Sequence, residues 1–258
     1  MIFTEAAQRV TSDFLKEKNM GVVWNPWHGC SKISAGCQNC YVYRRDESIG
    51  KDAQIVTKTL SFDLPVRRAR NGGYKIATGE TVFTCFTSDF LIDKADEWRL
   101  DAWQYIKERN DLGFFFITKR IDRFRACIPD DWEGGYNNVT VGCTVENQQM
   151  ADYRLPIFLS APIMHKIIIC EPILSQINLE QYLNHDIEQV IVGGESGNNA
   201  RICDYAWVTD IRRQCEVKGV SFGFKQTGAR FLKDGRVYRI PRKFQHTQAK
   251  KAGIDLHL

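Results

Sequence analysis

Long apolar runs are missing from this 258-residue chain. No stretch approaches the roughly 18 uninterrupted apolar residues of a membrane-spanning helix. Residues 1–19 carry scattered charges and no apolar core, so no secretory signal peptide is expected. No G-x-G-x-x-G follows the first apolar strand, which disfavours a dinucleotide-binding Rossmann fold. There is no internal repeat of fixed period, which argues against a solenoid, and no low-complexity tract. Neither sign of charge dominates: 35 Lys and Arg face 31 Asp and Glu, a formal net charge of +4. The sequence pI of about 8.5 permits a nucleic-acid or phosphate-bearing partner without requiring one.

Cysteine is not scarce, and its nine copies invite a disulfide reading. Three features oppose it. The count is odd, the chain is far longer than a disulfide-stapled scaffold, and no secretory leader is read. Cys85, Cys143 and Cys170 lie inside apolar runs, where a thiol behaves as a small hydrophobe. A reducing, cytoplasmic setting without membrane association is expected.

The stretch 24–44 is different. Cys30, Cys37 and Cys40 stand at spacing C-x6-C-x2-C, with Gly29 and Gly36 before two of them and Tyr41 and Tyr43 after. Two thiolates two residues apart can turn onto one metal, and a third can complete a three-point clamp. Three protein ligands on a four-site centre leave one position open, as chemistry requires and a structural site avoids. Trp24 and Trp27 are expected to pack the root of this loop.

Elsewhere apolar strands alternate with amphipathic helices. Strands are expected at 21–24, 81–87, 113–118, 138–145, 165–170, 188–192 and 219–224. Helices are expected at 4–18, 41–52, 93–109, 121–127, 148–160 and 204–218. Residues 53–80 are basic and hard to read, and 229–258 suggests a hairpin and a loose tail. This alternation argues for βα units in an α/β fold, a partial or complete TIM-type barrel of about six or seven parallel strands. One barrel domain is expected over 1–228, with the cysteine loop at 28–41, followed by a basic extension over 229–258.

Working residues of parallel α/β folds gather at the carboxyl ends of strands. Here those ends read Thr87-Ser88-Asp89, Thr118-Lys119-Arg120, Glu146-Asn147, Glu171-Pro172, Gly193-Gly194-Glu195-Ser196 and Lys225-Gln226. Six successive apolar strands end in polar or charged groups. By side-chain alternation Asp89 shares a face with Cys85 and Thr87, and Glu146 with Gly142 and Thr144, while Cys143 and Cys170 point away as structural thiols.

The ordered set Trp24-Asn-Pro, Gly29-Cys30, Gly36-Cys-x-x-Cys-Tyr41, Ser88-Asp89, Ile117-Thr-Lys-Arg120, Gly142…Val145-Glu-Asn147, Cys170-Glu-Pro172, Val192-Gly-Gly-Glu-Ser-Gly197…Ala200-Arg201 and Phe224-Lys-Gln…Gly228 resembles the three-cysteine-motif proteins of phages and bacteria. The resemblance spans about 22–230 and is specific for family, not for reaction. That family is itself similar to radical S-adenosylmethionine (SAM) enzymes, nearest in style to spore photoproduct lyase. The resemblance implies a partial barrel, a 4Fe–4S cluster on Cys30, Cys37 and Cys40, and SAM on the open iron, cleaved to a 5′-deoxyadenosyl radical with an electron donor's help. On that reading, strand-end position assigns the SAM amine to Asp89, beside Ser88, or to Glu195, after Gly193 and Gly194. Lys119 or Arg120 would hold its carboxylate, Glu146 its ribose, and Tyr41 or Tyr43 its adenine. Glu171 and Lys225 would face the substrate, a nucleic acid or nucleotide. The sequence departs from the common C-x3-C-x2-C pattern: its first gap is six residues, and Asn39 holds the position usually given to an aromatic.

Two other readings stand beside this one. His28, with the three cysteines, makes a closed Cys3His zinc set. Arg44, Arg45, Arg67, Arg68 and Arg70 would then contact phosphates, and Tyr41, Tyr43 and Phe62 would stack on bases. A metal-free barrel hydrolase would instead pair Glu146 with Glu171.

Overall fold

The computed structural model describes residues 21–258. The helix expected at 4–18 lies outside the described residues. Seven strands hydrogen-bond in one all-parallel sheet: β1 (Val22–Trp24), β4 (Thr81–Thr84), β5 (Gly113–Thr118), β6 (Val139–Thr144), β7 (His165–Cys170), β8 (Ile187–Gly193) and β10 (Ser221–Gln226), in that order. All but β1 and β10 are bordered on both sides, and no pairing of β1 with β10 closes the sheet among the described residues. A complete barrel is therefore not formed by this ladder.

Among the described residues six helices, α1 (Tyr41–Ser48), α2 (Asp96–Glu108), α3 (Phe124–Cys127), α4 (Gln148–Ser160), α5 (Tyr205–Lys218) and α6 (Arg242–Lys251), are interspersed with the strands, though β7 runs to β8 without one. Strands β6 and β7 are buried along their whole length, as parallel strands covered on both faces require. The expected strand at 81–87 stops at Thr84, because Cys85 turns to a positive φ of 62°. Asp204 caps α5, its Oδ1 accepting from Ala206 N at 2.9 Å, and Gly219 ends the helix in the left-handed region.

The residues group into two compact units. One holds the described chain through Ser31, Asp46–Gly142 and Ala161–His165; the other holds Lys32–Arg45, Cys143–Ser160 and Lys166–Leu258. The first has an aromatic core: Trp27 stacks on Phe90 at 5.2 Å, Phe90 lies 4.8 Å from Phe116, and Trp103 lies 4.9 Å from Trp132. Trp24 and Trp27 are fully buried, as expected for the root of the loop, and so are Phe114, Phe115 and Phe116. Its small antiparallel ladder pairs β2 (Trp27–His28) with β3 (Thr57–Lys58).

In the second unit β10 lies beside β8 and packs against α5, and Val190, Val208, Ile211 and Phe222 of these elements are fully buried. A three-stranded ladder joins β9 (Ile202–Asp204), β11 (Arg230–Lys233) and β12 (Arg236–Arg239), with β12 outermost. The expected C-terminal hairpin is β11–β12, but the residues after it are not a loose tail. They form α6 and then return to β10, where Phe222 and Leu256 exchange hydrogen bonds of 2.8 and 2.9 Å. No described helix is long and apolar enough to cross a membrane.

Candidate functional site

None of the nine cysteines is in a disulfide, and exposure divides them. Cys30, Cys37 and Cys40 are partly exposed, whereas Cys85, Cys127, Cys143, Cys170, Cys203 and Cys215 are buried. Burial pushes the Cys85 and Cys170 thiols well up and raises Cys127. It drives Cys203 and Cys215 to about 12. Burial of this kind disfavours the thiolate form that ligates metals. The expectation that Cys143 and Cys170 are structural accords with this burial.

In the first unit the loop begins at Gly29, whose backbone adopts φ +96°. A Cβ there would fall 2.2 Å from the Ile55 carbonyl oxygen, so only glycine fits this approach. Ser88 Oγ donates to the Gly29 carbonyl, and Cys30 N donates to Ala53 O at 2.7 Å. Asp89 is the hub of a buried polar network. Its Oδ1 accepts from Thr118 Oγ1 (2.8 Å) and Leu91 N (3.0 Å). Its Oδ2 accepts from Lys119 N (3.0 Å) and Arg120 Nη1 (3.3 Å). Arg120, itself buried, donates through Nη2 to Ser31 O (2.7 Å) and Ser31 Oγ (2.8 Å), and its Nη1 lies 3.7 Å from Cys30 Sγ. Burial lowers the Arg120 pKa, but Asp89 and Cys30 together raise it further, so the guanidinium stays charged. A cation beside sulfur stabilises negative charge there. His28 Nε2 sits 2.6 Å from the buried carboxylate of Asp46.

In the second unit Cys37 and Cys40 share a short turn, Cys40 N donating to Cys37 O at 3.3 Å. Ser34 Oγ lies 3.9 Å from Cys37 Sγ. Glu146 is fully buried: its Oε1 accepts from Gly36 N at 3.0 Å and its Oε2 from Arg154 Nη1 at 2.8 Å. Glu195 Oε2 accepts from Asn39 Nδ2 (3.0 Å), Arg201 N (2.9 Å) and Arg201 Nε (3.0 Å), while Oε1 accepts from Arg201 Nη2 at 2.5 Å. Burial raises the Glu195 pKa, but Arg201 and Asn39 outweigh it and hold the carboxyl below its ordinary value. Glu171 accepts from Lys225 Nζ at 3.0 Å and from Gln226 Nε2. Burial works against its charge, and Lys225 with Gln226 bring its pKa below normal. Gly193 passes so close that a Cβ would meet Glu171 Oε1 at 2.9 Å, and one at Gly194 would meet Thr227 O at 2.4 Å.

Glu146 and Glu171 each carry a cation of their own, an arrangement for anchoring and not for sharing a proton. Tyr41 is exposed. Lys119 makes no side-chain ion pair among the described residues. Among those residues no group of three or more His, Cys, Asp and Glu is gathered as a metal site.

The basic and aromatic groups expected to touch phosphates and bases are largely used internally. Arg67 pairs with Asp63, Arg68 lies 3.6 Å over the Tyr74 ring, and Arg44 Nη1 donates to Ser196 O at 2.9 Å. Phe62 is buried against Tyr105 and cannot stack on a base. Arg154 escaped the sequence reading, and Asn39 was read there only as a departure from an aromatic. The signal for Arg154 was its place on the apolar stripe of α4 with Ala151, Leu155 and Phe158, where a charge needs a buried partner.

A family model described as a protein of unknown function, DUF5131, matches residues 18–257. The chain belongs to that family. No curated protein and no solved structure matches it.

Proposed function

We propose that this DUF5131 member is a SAM-dependent iron–sulfur enzyme whose cluster ligands are Cys30, Cys37 and Cys40. The observation that carries this reading is the division of the nine thiols: the three at C-x6-C-x2-C are the accessible ones, and the other six are buried. The donor chemistry fits a cluster that takes three thiolates and leaves one iron open. When bound, such a cluster with SAM supplies one-electron reductive cleavage of a sulfonium.

The chain's own residues hold and orient. Arg120, charged and braced by Asp89, fixes Ser31 and faces the Cys30 sulfur. Glu146 fixes Gly36 and Glu195 fixes Asn39, each one residue before a cysteine. These carboxylates, first expected to touch SAM, act in this reading as positioning residues of the loop. With Arg120 engaged, Lys119 is the cation for a SAM carboxylate, and Tyr41, exposed, is the ring for adenine. The Glu171–Lys225 pair is the charged group left to face substrate.

The test is anaerobic reconstitution followed by SAM and a strong reductant, with 5′-deoxyadenosine measured by chromatography. The wild-type chain should form it, and Cys37→Ala should not. Equal formation by both, or by neither in an iron-loaded sample, rejects the proposal.

A further inference from the structure

Positive charge is concentrated in one short part of the second unit. Residues 229–251 hold eight Lys and Arg against one Asp, while the whole chain is only +4, so the rest of the chain is net acidic. All eight cations are exposed. Six of them, Arg230, Lys233, Arg236, Arg239, Arg242 and Lys243, belong to β11, β12 and the start of α6. None makes an ion pair with a carboxylate among the described residues.

The ladder register sharpens this. Arg230 stands directly opposite Arg239, and Lys233 opposite Arg236. Like charges placed face to face across two strands destabilise the ladder. Cations on an outermost strand can serve only to block edge-to-edge aggregation. That purpose accounts for β12 but not for Arg230 and Lys233, which lie on the inner strand β11, nor for Arg242 and Lys243 on the helix. The pattern calls for a polyanion supplied from outside.

Aromatic rings are interleaved with these charges. Tyr238 and Phe244 are exposed, with Arg236 5.2 Å over the Tyr238 ring and Lys243 4.9 Å over the Phe244 ring. Cations for phosphates beside rings for unpaired bases are the combination single-stranded nucleic acid selects. A membrane surface fits less well: α6 buries Gln245 and Ala249 against its own unit and presents no apolar face to insert. We infer that the β11–β12 ribbon with the start of α6 is a docking surface for single-stranded nucleic acid. The surface shares no residue with the cysteine loop, so its binding can be read whether or not a cluster is present.

The experiment is fluorescence anisotropy of a labelled oligonucleotide with the full chain, single-stranded and duplex, across a salt series. The single strand should bind more tightly than the duplex. Arg236→Ala/Arg239→Ala/Lys243→Ala should weaken binding by roughly tenfold or more and reduce the slope of log affinity against log salt by about 2, near 0.7 per lost phosphate contact. Tyr238→Ala should weaken binding by roughly five- to hundredfold with that slope unchanged. Circular dichroism melting checks that these surface variants stay folded. Binding by Cys37→Ala/Cys40→Ala should equal wild type, which separates this inference from the cluster proposal. Equal affinity for duplex and single strand, or a salt slope unmoved by the triple variant, overturns it.

Discussion

The Glu195 carboxylate accepts the Asn39 side-chain amide at 3.0 Å while Arg201 clasps it through three N–H groups. Asn39 occupies the position next to Cys40 where an aromatic was the usual expectation. The amide there is a tether, tying the cysteine turn to the loop after β8. Glu195→Gln keeps the shape but removes the charge and leaves the Arg201 guanidinium underpaired. Loss of such a supporting partner typically weakens metal holding by about 10- to 100-fold. We expect iron loaded on Glu195→Gln to leave to a chelator at least about tenfold faster than from wild type, at similar Tm. Release rates equal to wild type would remove Glu195 from the positioning role.

Gly29→Ala should be severe. Its φ of +96° and the 2.2 Å approach to Ile55 O leave no room for a methyl group. We expect a loss of at least about 2 kcal/mol from combined backbone strain and overpacking, measured by denaturant unfolding. A change below about 0.5 kcal/mol would contradict the geometry.

Asp111 gives a pH signature. The Arg109 guanidinium, fully buried, donates through Nε (2.8 Å) and Nη2 (2.9 Å), and with Thr78 draws the Asp111 pKa from 3.8 down to about 2. The folded pKa is below the unfolded one, so this stabilisation is present in full above the unfolded value. It disappears as pH falls from about 4 toward 2. Allowing for the partial exposure of Asp111, it is worth about 1–2 kcal/mol at neutral pH. Asp111→Asn should therefore be less stable than wild type at pH 7, and the gap should narrow as pH approaches 2. A gap independent of pH would refute the assignment.

His28 distinguishes iron–sulfur from zinc. Its Nε2 is 2.6 Å from Asp46. His28→Ala should retain the iron content of wild type. Loss of all metal in that variant, with zinc found in the wild type, would establish the Cys3His alternative.

Much of the architecture was legible because parallel strands covered on both faces are apolar throughout: the limits of β5, β7 and α4 read from sequence coincide with the observed ones. Residues 53–80 were illegible for a physical reason. They form little regular structure and are held by side chains from elsewhere, such as Arg109, whose Nη1 and Nη2 donate to Pro65 O (2.5 Å) and Ile76 O (2.9 Å). Strand-end charges were visible, but their direction was not. Alternation was carried past Thr84 and Thr144, where β4 and β6 end, and it could not reveal that Arg154, Gly36, Thr118 and Arg120 claim the oxygens of Glu146 and Asp89. The C-terminal charges read as a solvated tail because the cross-strand register that sets Arg230 against Arg239 is a tertiary fact.

The proposed chemistry depends on what the three accessible thiols hold. Metal analysis with visible absorbance, on protein purified and reconstituted without oxygen, tests it most directly. About four irons per chain, a brown colour bleached by reductant, and loss of both in Cys30→Ala, Cys37→Ala and Cys40→Ala are expected for a cluster on three thiolates. A colourless protein with about one zinc per chain, or iron retained by all three variants, would contradict it.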